Sequence, residues 1–268
     1  MSSGSQPSTE LPADLQAWKS ARWAEIDGPQ GVAGVVLMEM LSRSGQIVPG
    51  IPGTWDPVSK EGLTLTANKS DGVIVDGQLL DGTVAVGSKT NIEFPGGRLG
   101  SVGGAEGVYG LRVWDPCAPN LTQLQGISYF PYDPAWVVDA EYRAASTDRT
   151  VTVKRLTTPL TDDEIRAPGD LVFDAAGRRH TLRVIETVPG QRLVVFTDST
   201  SGEQTPSIGR WLKLPDATDG GPLKIDFNRA ILAHHTFSPT FGCPLPPAGN
   251  HVQIPVEAGE CAPIRAEG

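Results

Sequence analysis

The chain has 268 residues, of which 39% are hydrophobic, and a formal net charge of −9. This length suffices for one large or two small domains with an apolar core, and an acidic surface opposes binding to a phosphate backbone. No apolar run approaches a membrane span. Three widely spaced cysteines without a CxxC pair, Cys117, Cys243 and Cys261, favour a reducing cytoplasm over a disulfide framework.

The N-terminal part of the sequence predicts helix. Residues 1–12 are polar and are interpreted as a disordered leader, and Leu11 to Asp27 show approximate helical spacing before the stop at Gly28-Pro29. The apolar run from Val32 to Arg43 fits a second helix or a buried strand equally well. We therefore expect residues 13–60 to form a helical segment followed by a loop.

Residues 61–118 are predicted to form a small β-region. Asp-Gly steps beginning at Asp71, Asp76 and Asp81 favour primed hairpin turns between short strands. The segment GVYGLRVWD alternates as a strand, with Gly110, Arg112 and Trp114 on one face. The glycine-rich run from Gly96 to Gly104 opens no helix and is interpreted as a flexible loop, so no phosphate cradle is predicted.

Residues 119–268 are predicted to form a C-terminal β-domain. Alternating runs separated by glycine-containing turns indicate strands through PLKIDFNR, and VQIPVEAG is expected to be a last edge strand because Pro255 cannot donate to a ladder. His180 is expected at the surface of its strand. The predicted fold class is mainly β: an N-terminal helix or helices, a small β-meander, then an antiparallel sheet or barrel.

A polar segment between two predicted strands, FTDSTSGEQTPSIGRW, supplies the first candidate site residues. Asp198 and Ser201 are typical of a turn, and Thr200 adds a further hydroxyl. Arg210 directly precedes an apolar strand. Its planar guanidinium is expected either to pair with a carboxylate such as Asp198 or to face an anionic ligand.

The stretch FNRAILAHHTFSPTFGCPLPPAGNH supplies the other candidates. On an extended segment the adjacent His234 and His235 would point to opposite sides, which opposes a joint chelate. His235 and Cys243 can form a thiolate–imidazole pair or, with His251, a metal site, while Cys243 can equally be a buried structural residue. Asn228, Arg229 and Asn250 can hold turn carbonyls or bind a carboxylate.

Three segments carry a family resemblance. GISYFPYDPAW, FTDSTSGEQTPSIGRWL and IDFNRA…CPLPPAGN…PVEAGE, in this order, resemble the bacterial and archaeal domain-of-unknown-function family 1684, over about Gly107 to Glu260. The resemblance implies a β-rich fold and a cytoplasmic protein, and it implies no activity. Members usually carry cysteine where this chain has His235 and arginine where it has His251. These two changes toward histidine suggest a divergent member with altered acid–base capacity.

The candidates predict a cofactor-independent enzyme that acts on a small polar or anionic metabolite by hydrolysis, elimination or cyclisation. In this hypothesis His235 or His251 is the general acid or base, Asp198 orients it and Cys243 is a possible nucleophile. The predicted substrate-binding residues are Thr200, Arg210, Asn228, Arg229 and Asn250. Two alternatives stay open: a non-catalytic small-molecule-binding or scaffold module, and a metalloprotein that uses His235, Cys243 and His251. No nucleic-acid or membrane partner is expected, and the oligomeric state is not predicted.

Overall fold

The computed structural model describes residues 11–58, 62–105, 108–215 and 221–266. The fold is mainly β, with an N-terminal helix followed by antiparallel sheets, one of which curls into a half-barrel. The fold class is thus confirmed. The leader predicted at residues 1–12 falls almost entirely outside the described residues. Within these residues, no helix has the length and apolar character that crossing a bilayer requires.

The regular elements follow one another along the chain in the following order. The first half contains α1 Ala13–Asp27, β1 Val35–Leu41, β2 Gln46–Ile47, β3 Thr54–Val58, β4 Gly62–Ala67, β5 Ile74–Val75, β6 Gln78–Leu79, β7 Gly82–Val86, β8 Ile92–Phe94, β9 Arg98–Ala105, β10 Val108–Trp114 and α2 Pro119–Thr122. The second half contains β11 Leu124–Tyr129, β12 Val137–Ala144, β13 Thr150–Arg155, β14 Thr161–Ala175, β15 Arg178–Val188, β16 Gln191–Asp198, β17 Arg210–Lys213, β18 Pro222–Asp226, β19 Ile231–Leu232, β20 His251–Val252 and β21 Glu260–Arg265.

The contacts divide the chain into two compact units. The N-terminal unit contains the described residues within 25–125, 234–242 and 265–266, and the C-terminal unit contains those within 11–24, 126–233 and 243–264. These bounds differ from the predicted ones. Residues 13–60 do not form a separate segment, because β1 pairs along its length with β10.

The N-terminal unit contains a six-stranded sheet, in the order β1-β10-β9-β8-β5-β6, and a four-stranded sheet, β2-β3-β4-β7. Alternate residues of these strands fill one core around Trp55, and Tyr109, Leu111 and Val113 of β10 belong to it. The opposite face of β10 carries Gly110 and Arg112. The alternation predicted for this strand is therefore confirmed.

The C-terminal unit is built on a nine-stranded sheet. Its main path is β18-β12-β14-β15-β16-β17-β19, with β13 paired to β14 and β20 joined to β16 in a short parallel pair. Apolar side chains from alternate positions form a second core that includes Tyr142, Phe173, Phe196 and Phe227. A separate two-stranded ribbon joins β11 to β21.

One predicted turn is confirmed at residue level, and one run whose structure the sequence left open forms a strand. Asp76 and Gly77 both have positive φ, 47° and 78°, in the two-residue connection between β5 and β6, as a primed hairpin turn requires. The run from Val32 to Arg43, which the pattern left open, forms a short 3-10 turn and then strand β1.

Three sequence predictions are wrong. The glycine-rich run from Gly96 to Gly104 is not a flexible loop but mostly strand β9, where a Cβ on Gly100 would lie 2.7 Å from the Phe94 ring. The last strand is β21, and Pro255 lies outside any strand. His180 is only 8% exposed because it stacks on Phe173 at 5.2 Å.

Candidate functional site

Asp198 and Arg210 form a buried ion pair in the C-terminal unit, which is one of the two alternatives that the sequence left open for Arg210. Asp198 ends β16 and Arg210 begins β17, and an Arg210 Nη atom lies 2.8 Å from an Asp198 carboxylate oxygen. Both side chains are fully buried. The backbone N–H of Thr200 donates to the other carboxylate oxygen at 2.7 Å. The pair therefore closes the turn between two neighbouring strands.

The remaining Nη hydrogen bonds of Arg210 go to the backbone. Its Nη atoms donate to the carbonyls of Val256 at 2.7 Å, Ala258 at 2.5 Å and Glu260 at 3.3 Å. A buried guanidinium bonded in this way through its Nη atoms holds the C-terminal segment against the sheet and satisfies carbonyls that would otherwise be orphaned. The geometry places Arg210 in a structural role rather than at a ligand, unlike the predicted substrate anchor.

Three further predicted binding residues are also engaged within the protein. Asn250 bridges two strands by bonding Arg183 N at 2.7 Å and the Arg183 and Val195 carbonyls, each at 2.9 Å. Asn228 clamps the backbone of Asp133 from both sides, at 3.0 and 3.1 Å. The hydroxyl of Thr200 lies 2.9 Å from that of Thr205. All three amide or hydroxyl groups are buried and hold turns, as these residue types often do.

The other candidates of the C-terminal unit are Arg229, His251 and Cys243. Arg229 bonds Asp226 at 3.2 Å and Asp14 at 2.5 Å. His251 is exposed, with its Nδ1 3.0 Å from the Thr197 hydroxyl. Cys243 is only 4% exposed. Burial of this thiol fits the structural interpretation that the sequence left open.

His235 belongs to the N-terminal unit, so it does not share a unit with Asp198, Arg210 or Cys243. It lies in a 3-10 turn, His234–Thr236, rather than in an extended segment, and its Nδ1 is 2.7 Å from the carbonyl of Phe241. Among the described residues, no group of three or more His, Cys, Asp or Glu side chains is placed to hold a metal ion.

A second buried ion pair, between Arg22 and Glu260, was not predicted. Arg22 Nε lies 2.9 Å from one Glu260 oxygen, and the other oxygen accepts the backbone N–H of Leu232 at 2.7 Å. Burial and the nearby Glu260 carboxylate raise the pKa of Tyr129. Burial also raises the pKa of the neighbouring Cys261 thiol. The 238-residue separation of the two ion-pair partners leaves no local sequence signal for this cluster.

An open cavity of about 250 Å³ lies within the N-terminal unit. Its lining combines an arginine, an acid, a histidine and two aromatic rings with apolar residues, namely Glu25, Gln30, Val32, Val35, Arg112, Trp114, His234 and Phe241. The segment that supplies His234 and Phe241 is fixed to β1, because the Ser238 hydroxyl donates to the Val35 carbonyl at 2.7 Å. Strands β1 and β10, the end of α1 with the residues that follow it, and this anchored loop thus form the walls.

Arg112 is the charged centre of this cavity. Its guanidinium carbon lies 5.7 Å from the centre of the Trp114 ring and 5.9 Å from that of Phe241, within the range of cation–π attraction. In the described part of the chain, no oxygen accepts a hydrogen bond from its guanidinium. Desolvation lowers the pKa of Arg112, although the side chain keeps access to solvent. The N–H donors of Arg112 are therefore aligned by aromatic rings and not neutralised by a carboxylate.

His234 and Glu25 form the other polar wall. His234 Nε2 lies 3.5 Å from Glu25 Oε1, and the ring of His234 packs edge-on against Phe241, with 5.2 Å between centres. A carboxylate beside an imidazole orients the ring. The cavity therefore holds a fixed cation and an acid–base pair.

The sequence signal for this cavity was incomplete. Alternation along GVYGLRVWD placed Arg112 and Trp114 on one face, and His234 lies in the segment that contains the catalytic candidates His235 and Cys243. His235 was the predicted acid or base, whereas its neighbour His234 lines the cavity. Glu25 lies in a helix and carries no motif that would mark it.

Comparisons with known proteins identify the family but no activity. The family model described as a protein of unknown function, DUF1684, matches residues 122–261. A solved structure with similarity is the uncharacterized protein from gene locus rrnAC0354 of Haloarcula marismortui, at 31% identity over 53% of this chain and 77% of that chain, with a TM-score of 0.42. No curated protein matches. The family model matches more than half of this chain, so the chain belongs to the DUF1684 family.

Proposed function

We propose that the N-terminal unit binds a small anionic metabolite in the cavity around Arg112. The observation that carries this proposal is that the exposed Arg112 lines a cavity, lies beside two aromatic rings and has no oxygen partner among the described residues. The planar guanidinium fork matches the two oxygens of a carboxylate or phosphate.

The surroundings of Arg112 support a specific rather than a diffuse attraction. The protein has a net charge of −9, so its overall field repels anions and any affinity has to arise locally. Trp114 and Phe241 restrict the orientation of the guanidinium before a ligand arrives. Such preorganisation reduces the entropy lost on binding. A cytoplasmic metabolite is the proposed ligand, and the three free cysteines agree with a reducing compartment.

The test is a titration of the whole protein with acetate, succinate and inorganic phosphate, followed by two-dimensional NMR of the Arg112 Nε–H and Trp114 indole N–H signals. We expect saturable shifts of these signals in the wild type. Arg112→Met should weaken binding at least about tenfold, since a hydrogen bond to a charged group contributes about 1.5–3 kcal/mol. Equal binding by wild type and Arg112→Met, or no binding of any probe, would overturn the proposal.

A matched control uses an arginine that already has a partner. Arg143 is exposed and paired with Glu141 at 2.7 Å, and it belongs to the C-terminal unit. Arg143→Met removes the same charge from the protein, so it changes the overall field as much as Arg112→Met does. We expect it to leave the titration unchanged, which separates a local site from a general charge effect.

A second candidate function, cofactor-independent acid–base catalysis in the same cavity, is favoured by the His234–Glu25 contact of 3.5 Å. An imidazole oriented by a carboxylate is a common general base. We propose that mono-4-nitrophenyl succinate, an activated ester with a free carboxylate, is hydrolysed faster than 4-nitrophenyl acetate. His234→Ala should abolish this preference and Glu25→Gln should reduce the rate. If wild type and His234→Ala release nitrophenol equally fast, catalysis by this pair is excluded while the binding proposal stands.

A further inference from the structure

The outer face of the six-stranded sheet carries a second cavity, of about 400 Å³, which shares Arg112 with the first. Cross-strand pairing arranges its floor in two rows. One row runs Met38, Arg112, Ser101 and the other runs Met40, Gly110, Gly103, across β1, β10 and β9. Moving along β10 from Trp114 to Gly110 therefore leads from the first cavity into the second, over about 13 Å at 3.3 Å per residue.

Paired glycines keep this second cavity open. Gly110 of β10 lies directly opposite Gly103 of β9, so neither strand places a side chain there. A Cβ on Gly103 would meet no atom within 4 Å, and one on Gly110 would lie 3.0 Å from the sulfur of Met40. The glycines thus form the bottom of a trough, and the flexible Met40 forms its side.

The trough is apolar apart from its end at Arg112. Met38 and Met40 are exposed, at 41% and 58%, on the side of the sheet away from the core. Ser101 offers a hydroxyl, and Arg112 supplies the charge. A lining with so few donors and acceptors does not fit a sugar or a nucleotide, whereas a contiguous exposed apolar surface is typical of a binding site. Methionine side chains adapt readily to flexible apolar ligands.

We propose that the ligand is an anionic amphiphile, with its acidic head on Arg112 and an aliphatic chain in the trough of Met38, Met40, Gly103 and Gly110. This inference rests on the anion binding proposed above and names the class of ligand. Charge complementarity selects the occupant, because the unpaired cation lies at one end of an apolar trough. A carboxylic acid with a chain of medium length satisfies both parts at once.

The first experiment compares octanoate with acetate by isothermal titration calorimetry on the full chain. Each buried methylene strengthens binding by about fourfold. We therefore expect octanoate to bind at least about tenfold more tightly than acetate, and Arg112→Met to weaken both. Octanol, which has the chain without the charge, should bind more weakly than octanoate.

A trough-filling variant isolates the tail contact. Gly103→Val adds a side chain where there is open space and suits a strand, so the protein should fold normally. It should reduce octanoate affinity to that of acetate and leave acetate binding unchanged. Met40→Gln should weaken octanoate binding by several fold, while Leu79→Gln, which changes a residue 51% exposed on β6 of the same sheet, should not.

The outcomes separate the two proposals. Acetate binding that requires Arg112, with octanoate no tighter, overturns the amphiphile and leaves the anion site. Failure of both probes to bind overturns both. A concentration-dependent dimer in sedimentation that Gly103→Val abolishes and octanoate does not affect would assign the trough to a second copy of the chain and overturn the amphiphile.

Discussion

Two arginines, one in each unit, are placed in opposite environments. Arg210 of the C-terminal unit is fully buried and bonds a carboxylate and three backbone carbonyls. Arg112 of the N-terminal unit lines a cavity between two aromatic rings and has no oxygen partner in the described residues. Arg210 stabilises the fold, while the N–H donors of Arg112 are available to a ligand.

This difference shows why a polar motif alone does not identify a binding site. The Asp198–Arg210 segment had the composition of an anion site, but its charged groups bond each other, the turn between their strands and the C-terminal segment. Arg112 lies in an ordinary alternating strand. Availability of donors depends on what the fold places around a side chain, which residue type does not reveal.

The largest expected effect on stability comes from breaking the buried ion pair of Asp198 and Arg210. Arg210→Met leaves the Asp198 carboxylate buried without its cation and removes hydrogen bonds from the carbonyls of Val256 and Ala258. Breaking a buried ion pair on one side costs about 3–5 kcal/mol. We expect a loss of this size in the free energy of unfolding, measured by urea denaturation.

The double variant Asp198→Leu/Arg210→Met is the control for this prediction. It removes the unpaired charge and replaces both partners with apolar groups, so it should recover part of the stability lost in Arg210→Met. If Arg210→Met unfolds at the same urea concentration as the wild type, the structural role assigned to Arg210 is wrong.

A smaller effect is expected from a glycine in the C-terminal unit. A Cβ on Gly169 would overlap the ring of Tyr142, which is fully buried. Gly169→Ala should therefore destabilise the protein by about 1–3 kcal/mol through overpacking. The change in thermal midpoint, followed by circular dichroism, measures it.

Gly103→Ala is the matched change in the N-terminal unit. Its new methyl group would meet no atom within 4 Å, and alanine restricts the unfolded chain more than glycine does. We expect a neutral effect or a gain of up to about 1 kcal/mol. Equal destabilisation by Gly103→Ala and Gly169→Ala would contradict the conclusion that Gly103 lies in an open trough and Gly169 in a filled core.

Local pattern was sufficient to predict several elements. The Asp76-Gly77 turn has the positive φ angles that primed hairpins need, and the alternation of β10 placed Arg112 and Trp114 together. The proximity of Asp198 and Arg210 also followed from the strands that flank their loop. In each case the determining interactions lie within a few residues along the chain or across one hairpin.

Long-range pairing accounts for what the sequence did not show. The cavity draws Glu25 from the end of a helix, Arg112 from a strand and His234 from a turn more than a hundred residues later. Periodicity indicates which face of an element is apolar, but not which distant segment covers it. The glycines of β9 were misread for a different reason, since glycine in a strand is needed where the Phe94 ring of the neighbouring strand approaches the backbone.

The reactivity of the three thiols offers a further comparison of the two units, and it needs no substitution. Cys117 of the N-terminal unit is exposed, whereas Cys243 of the C-terminal unit is buried and Cys261 is partly buried with a pKa raised by burial. Only the thiolate reacts, so a raised pKa lowers the reactive fraction near pH 8. We expect iodoacetamide to label Cys117 first, Cys261 more slowly and Cys243 only on unfolding, as peptide mass spectrometry can follow. Rapid labelling of Cys243 in the folded protein would contradict its structural role.

The smallest expected effect on stability is that of Arg112→Met. This is the same substitution as Arg210→Met, made at the cavity and not at the buried ion pair. Arg112 has no oxygen partner to orphan in the described residues, and desolvation of its charge lowers its pKa, so the charge does not stabilise the fold through a specific pair. Methionine retains an apolar contact with Trp114 and Phe241. We expect the free energy of unfolding in urea to change by no more than about 0.5 kcal/mol. A loss of about 2 kcal/mol or more would place Arg112 with Arg210 among the structural arginines, and the unpaired cation of the cavity would then no longer distinguish the two units.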